Sequence, residues 1–497
     1  MLILLASIPI LLLIVMMGVF KVSSDKSALV TLIVTALLAV FAFSFSWADT
    51  GCAFLYGALK ALIPILFVIW MAIYSYNVLV TTGKINVLKE QFAGISTDRS
   101  VQVLLITWGF GGLLEGMAGF GTAVAIPAAV LISLGFKPLF SAVVSLVANS
   151  VPTAFGAVGV PVIVLGQQSG LPVGPLSTSV VAQLAPLMFL IPLVIVFLTD
   201  SSKKSLVKNM TLSLSVGGVS LVVQYLTAAY LGAELPAIFG ALSSILVILV
   251  MGKMFEAKSP TRKSLTIGEV LNAWSVYLLV LLLVLVTCPV IPFVRSALNS
   301  ICVSNIVFNI AGSEKIITIQ WLTQAGLLLF IGSFIGGLIQ GGRPGRLLRV
   351  CGKSAVQLWQ TVVTVISLVA FSSIMEYAGM TYTLAEGIAA ATGVCYPFFA
   401  PILGALGTFL TGSDTSANIM FGKLQATVGT QIGVDPNWLA AANTAGATGG
   451  KILSPQSISI ATSACGTQGT EGVIMKNALP YALAYVMITG LVVWIFA

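Results

Sequence analysis

Leu114-Glu115-Gly116-Met117-Ala118-Gly119-Phe120-Gly121-Thr122 sets one carboxylate among small residues, inside a segment apolar enough to enter a bilayer. A weaker echo, Thr411-Gly412-Ser413-Asp414-Thr415-Ser416-Ala417-Asn418, lies near the other end of the chain. Glycine at this density interrupts a helix, and hydrocarbon penalises an ionisable side chain heavily. Two Gly-rich breaks that each carry an acid, one in each half of the chain, form the pattern of a secondary transporter with a midplane site.

Composition fixes the setting. Of 497 residues, 58% are hydrophobic and only 8% charged, against about a quarter charged in soluble domains. The chain is therefore an all-α polytopic membrane protein, with the lipid bilayer as its first partner. The net charge of +8 records topology rather than nucleic-acid binding, because Lys and Arg collect in cytoplasmic loops. Histidine is absent, so any proton carrier must be a carboxylate. The six cysteines have no CxxC spacing and read as small apolar filler. No metal, cofactor or nucleotide motif is expected, and an embedded enzyme is disfavoured. Met1 to Phe20 lacks a basic leader and reads as a first span that starts outside, not as a signal peptide.

Apolar runs mark spans near 1–20, 28–46, 57–80, 139–165, 178–199, 210–231, 236–252, 273–290, 321–340, 355–377, 438–460 and 479–497. Segments 101–135 and 385–430 are apolar but broken at mid-length, and are expected to be re-entrant hairpins. About twelve crossings result, with both termini outside. Most of the 23 basic residues, among them Lys21, Lys26, Lys84, Lys137, Lys204, Arg262, Arg346 and Lys476, then fall on the cytoplasmic side. Making either hairpin a single crossing destroys that bias.

The halves also repeat. Ala148-Asn149-Ser150 is followed by Gly156 and Pro161, and Ala442-Asn443-Thr444 by Gly450 and Pro455, at the same spacings. Glu115 precedes Gly135, and Asp414 precedes Gly433, by nearly equal distances. The first hairpin enters from the cytoplasm and the second from outside, so the repeat is inverted. Residues 1–199 form the first half, with hairpin 101–135 and broken helix 139–165. Residues 273–497 form the second, with hairpin 385–430 and broken helix 438–460. Residues 200–272 join them through two spans and a basic loop around Pro260.

Lys451, in GGKILSPQS, is the sharpest candidate for a substrate site, because an anion at membrane depth needs a cation. The alternatives are an ion pair with Asp414 or Glu115, or a stem that snorkels to an interface. Asp414 either lines a cavity or caps a half-helix, and Glu115 and Asp414 are the two proton-coupling candidates. Asn149, Ser150, Asn443, Thr444, Ser454 and Gln456, with Gly121, Thr122 and Ser413 in the breaks, are substrate-binding candidates. Polar contacts between helices are the competing reading for each. Gly112 and Gly116 form a GxxxG, which more often means close packing than a ligand site. Glu376 and Glu386 read as solvated groups near the outer face.

LEGMAGFGTAVAIPAAVLISLGFKPL and ANSVPTAFGAVGVPV, between Leu114 and Val162, together with GTFLTGSDTSAN, AANTAGATGGKILSPQSISIA and GTEG, between Gly404 and Gly472, resemble the bacterial lactate permeases. Departures at Met117, Ala123 and Ile452-Leu453 are mostly apolar. The resemblance implies symport of lactate, and of glycolate, with protons across the inner membrane. It further implies an elevator-type ion-transporter fold, in which a scaffold holds a moving domain of two hairpins and two broken helices. A small monocarboxylate and protons are then the partners; a homodimer is compatible with this plan. The alternative is a sodium-coupled carboxylate carrier of the same architecture, since Asn and Ser/Thr at helix breaks also suit Na⁺.

Overall fold

The computed structural model describes residues 2–497 except 21, 94–95, 97, 118, 120, 203–204, 256–265, 288–290 and 468–469. The basic loop around Pro260, with Lys258, Arg262 and Lys263, lies outside the described residues, as do Lys21, Lys203, Lys204, Cys288 and the Ala118 and Phe120 positions of the opening motif. Nine helices among the described residues are long and apolar enough to cross a membrane, the longest run being Trp47–Thr81. Segments expected to span at 1–20, 321–340 and 438–460 instead contain helices of 17 residues or fewer, so about twelve crossings is not the number that length alone returns.

Each broken segment resolves into two helices joined at glycine. In the first, Arg99–Met117 turns through Gly119 and Gly121, both at positive φ (62° and 82°), into Thr122–Ser133. In the second, Tyr396–Thr411 turns through Gly412 (φ 73°) into Asp414–Ile432. Only glycine takes this left-handed backbone without strain, which explains the residue type at both tips. The expected second hairpin at 385–430 is corrected at its start. Met380–Thr392 is a separate helix, ended by Gly393, and the hairpin begins at Tyr396.

In the segments 139–165 and 438–460 the helical path is interrupted. Pro138–Ala148 stops at Asn149, a single turn Ser150–Thr153 follows, and the helical path through Gly156–Ser169 contains Ala157, Val158 and Gly159 at φ 45°, 61° and 76°. A β-branched residue in that region is strained and is held only by its surroundings. Here Gly159 lies so close to the Ala233 carbonyl that any side chain would overlap it. In the second half, Pro436–Lys451 ends at Ile452, and Ser454 caps a new helix, Pro455–Cys465, by accepting from Ser457 N–H. Asn443 does not sit at this break but inside the regular helix before it, although its spacing matches that of Asn149.

Small residues let these helices meet backbone to backbone. Side chains at Gly404, Gly446 and Gly450 would overlap the carbonyls of Asn443, Pro401 and Ala405, which packs Tyr396–Thr411 directly on Pro436–Lys451. Gly112 and Gly116 likewise face Pro152, Ala237 and Ile238, the close-packing role expected of GxxxG. Between the second hairpin and its broken helix runs a buried polar network. Asn418 Nδ2 donates to Thr444 Oγ1 (2.7 Å) and Asn443 Nδ2 to Asn418 Oδ1 (2.9 Å), while within the hairpin Tyr396 Oη donates to Gln425 Oε1 (2.7 Å).

Two features had no counterpart in the expectations. Val303–Ile310 and Ser313–Gln320 pair as an antiparallel hairpin around Ala311 and Gly312, both at positive φ, the geometry favoured by two-residue hairpin turns. Asp49 Oδ1 accepts from Ala311 N–H (2.7 Å) and Tyr56 packs edge-on against Phe308, docking the hairpin on Trp47–Lys60. Pro344–Gln357 is amphipathic: Leu347, Cys351 and Ser354 are buried at helical spacing while Arg343 before it and Arg346, Arg349 and Lys353 within it are exposed. Such a helix suits a membrane surface. Cys302 and Cys395 are exposed, so apolar filler does not describe all the cysteines. Glu376 is not merely solvated, since its Oε1 pairs with Lys423 Nζ at 2.9 Å; Glu386 is exposed.

Candidate functional site

Lys451 is the last residue of Pro436–Lys451, where the helix dipole favours a cation. Its Nζ lies 2.8 Å from Glu115 Oε1, and donates to Thr153 Oγ1 at 3.1 Å. The two charged side chains are 11% and 3% exposed, so this pair is buried and joins the first hairpin to the second broken helix. Gly156 makes room for it, because a Cβ there would sit 2.8 Å from Glu115 Oε1. Of the readings open for Lys451, interface snorkelling is thus overturned, and an ion pair with Glu115 is what the geometry presents.

Asp414 differs. It is the first residue of Asp414–Ile432, but the cap is Ser413, whose hydroxyl accepts from Ser416 N–H. The capping role weighed for Asp414 therefore falls to its neighbour. Both carboxylate oxygens of Asp414 are buried without a hydrogen-bond partner, as is Glu115 Oε2. Buried polar atoms are rarely left so, which marks both acids as candidates for the site.

All three groups line a cavity of about 910 Å³. Gly121, Ser413 and Gln456 line it as well. The tips of both hairpins rest on Pro455–Cys465, since a side chain at Gly121 would overlap Ile460 and one at Gly412 would overlap Gln456. The N-terminal residues of two helices, Asp414–Ser416 and Pro455–Ser457, also face the cavity, and helix N-termini with free backbone N–H groups attract anions.

The remaining candidates are not in its wall. Asn149 Nδ2 donates to Thr153 Oγ1, Ser150 Oγ to Val147 O, and Thr122 Oγ1 to Gly119 O. Asn443 and Thr444 belong to the network around Asn418, and Ser454 is a helix cap bonded to Ser457. Their geometry is that of polar contacts that hold the broken elements together. Thr153, which shares Lys451 with Glu115, was not singled out in the sequence. Its only local signal is that it lies one helical turn after Asn149. Gln360 and Thr361, from the start of Trp359–Tyr377, reach the cavity only through the tertiary fold.

The chain has relatives among known proteins. The family model described as L-lactate permease matches residues 3–497. The L-lactate permease of Streptococcus iniae is 40% identical over 440 residues, covering 88% of this chain and 93% of that protein. The glycolate permease GlcA of Escherichia coli (strain K12) is 33% identical, covering 98% and 94%. Among solved structures, Neisseria gonorrhoeae MtrF, from a class of antimetabolite efflux pumps, has a similar fold, with a TM-score of 0.53 over 97% of each chain at 12% identity. A multi-pass helical chain with a buried cation between two broken segments, matched to one family model along nearly all its length, belongs to the L-lactate permease family.

Proposed function

We propose that the protein is a secondary active transporter that imports lactate, and glycolate, together with protons across the bacterial inner membrane. The observation that carries the reading is the Lys451–Glu115 pair beside an unpartnered Asp414 in the cavity wall. A monocarboxylate can exchange for Glu115 on Lys451 without changing the number of charges around the ammonium. Glu115, released from its cation, then takes a proton, and the substrate and proton travel together. This coupling has a thermodynamic reason, since moving one anion into a negative interior costs roughly 2.3 kcal/mol per 100 mV and a co-moving proton cancels that.

Asp414 has a different part. An ionised carboxylate there would leave both oxygens without a partner, whereas a carboxylic acid still offers a donor and an acceptor to a substrate hydroxyl. Asp414→Ala removes both the donor and the acceptor, and is expected to bind lactate about ten-fold more weakly, the worth of about one hydrogen bond. Titration calorimetry on the purified variant decides it; unchanged affinity removes Asp414 from the site.

Halves 1–199 and 273–497 are taken as inverted repeats around the joining segment 200–272, with both termini outside. The shared order of hairpin and broken helix supports this. The cavity is also lined by Val22, Ser23 and Met475, which lie close in sequence to Lys26 and Lys476, and this supports an opening toward the side that basic loops assign to the cytoplasm. In the test, lactate uptake into vesicles proceeds without sodium and stops when the pH gradient is collapsed; dependence on sodium selects the Na⁺-coupled reading instead. Glu115→Gln should bind lactate while losing accumulation driven by the pH gradient, and retention of that accumulation would assign the proton elsewhere.

A further inference from the structure

A second cavity, of about 160 Å³, lies beyond the wall of the first, and Val160 lines both. Its apolar part comes from Ile65, Val68 and Val164, on Trp47–Thr81 and on the first broken helix, while Ile69, one residue after Val68, faces the larger cavity. Its polar part comes from elements that close over it. Glu234 is supplied by the loop that wedges against Gly159, Arg295 by Pro292–Ile301, and Thr318 and Gln320 by the second strand of the β-hairpin. Neither Arg295 nor Glu234 is fully buried, and among the described residues no ion pair within 4.0 Å engages either. The space holds about five waters at about 30 Å³ each. Arg295 and Glu234 are the charged residues in its lining, and the guanidinium is the one of the two that attracts an anion.

We propose that this cavity is the outer vestibule of the transport path, in which Arg295 receives the substrate carboxylate before Val160 and its neighbours part to admit it to Lys451. The inference rests on the transport reading above and adds the entry site to it. Glu234 sets the local potential: it holds down the affinity of the vestibule so that the anion moves on. The strained Ala157–Gly159 segment carries Val160 on its next residue, so a change in that backbone moves the partition between the cavities.

Charge variants test this with opposite signs. With lactate supplied on the β-hairpin side of phosphatidylcholine vesicles at low ionic strength, Arg295→Gln should raise the KM for uptake about five-fold with kcat within about two-fold, and Arg295→Lys should restore it. Glu234→Gln should lower KM, because it removes the opposing charge. Lactate affinity of the solubilised protein, which reports on the Lys451 site, should not change in either variant. A KM unmoved by Arg295→Gln, a shift of the same sign in both variants, a loss of kcat instead, or an effect seen only when anionic lipid is added would each overturn the vestibule. The transport reading is judged separately, by wild-type uptake in the same vesicles.

Discussion

Lys451→Ala is expected to abolish lactate binding, by a factor of 100 or more, and with it uptake. Removing one partner of a buried, hydrogen-bonded charge pair costs about 2–5 kcal/mol in binding, and here the removed group is also the only cation among the described residues in the cavity wall. The same change leaves Glu115, with its side chain 3% exposed, buried opposite no cation, so a fall in stability of about 3–5 kcal/mol accompanies it. The two effects separate in the double variant Lys451→Ala/Glu115→Gln. Neutralising the stranded acid should recover most of the folded yield and none of the affinity. Calorimetric titration and thermal unfolding on the same preparations read both. Single-variant affinity within three-fold of wild type would move the site away from Lys451.

The second large effect is structural. Gly446→Val should prevent assembly of the second half, because even a methyl group at this position overlaps the Pro401 carbonyl on the facing helix. Overpacking typically costs about 1–3 kcal/mol, and a clash with backbone rather than with a flexible side chain lies at or above the upper end. Gly352→Ala is the control. Nothing lies within 4 Å of the added carbon on the amphipathic helix Pro344–Gln357, so the variant should be as stable as the parent or slightly more so. Monodisperse yield in detergent and the unfolding temperature distinguish them. Normal assembly of Gly446→Val would mean that the Tyr396–Thr411 and Pro436–Lys451 helices are farther apart than described.

The Asn418–Thr444–Asn443 network explains why residues that pattern alone marked for substrate contact do not line the cavity. In a bilayer, helices gain little from apolar contact with each other, so hydrogen bonds between them and close glycine crossings hold the elements in place. Asn, Ser and Thr near a break are thus needed twice, for the site and for its supports. Sequence cannot separate the two uses, because the difference lies in which way each side chain faces. Asn443 illustrates this: its spacing to Gly450 and Pro455 matches that of Asn149 in the first half, yet its amide is spent on Ala417 O and Asn418. The β-hairpin was legible in principle. Val303 to Gln320 is rich in β-branched residues on both sides of an Ala-Gly turn, but in so apolar a chain an exposed segment of this kind reads as a loop.

What the amino-acid sequence determined alone is what depends on composition and on local backbone preference. Few charges and long apolar runs require helices in a membrane, and glycines at the tips and prolines after the breaks dictate where those helices stop. Three ionisable residues too costly to bury idly, Glu115, Asp414 and Lys451, mark the candidate site for the same reason. The tertiary structure alone decided how they are used. Lys451 and Glu115 are 336 positions apart in the chain, and only the packing of one hairpin against the opposite broken helix brings them to 2.8 Å while leaving Asp414 without a partner. Charge pairing at that range depends on distances that no local rule encodes, since the Coulomb energy and the desolvation that opposes it both change steeply over a few ångströms.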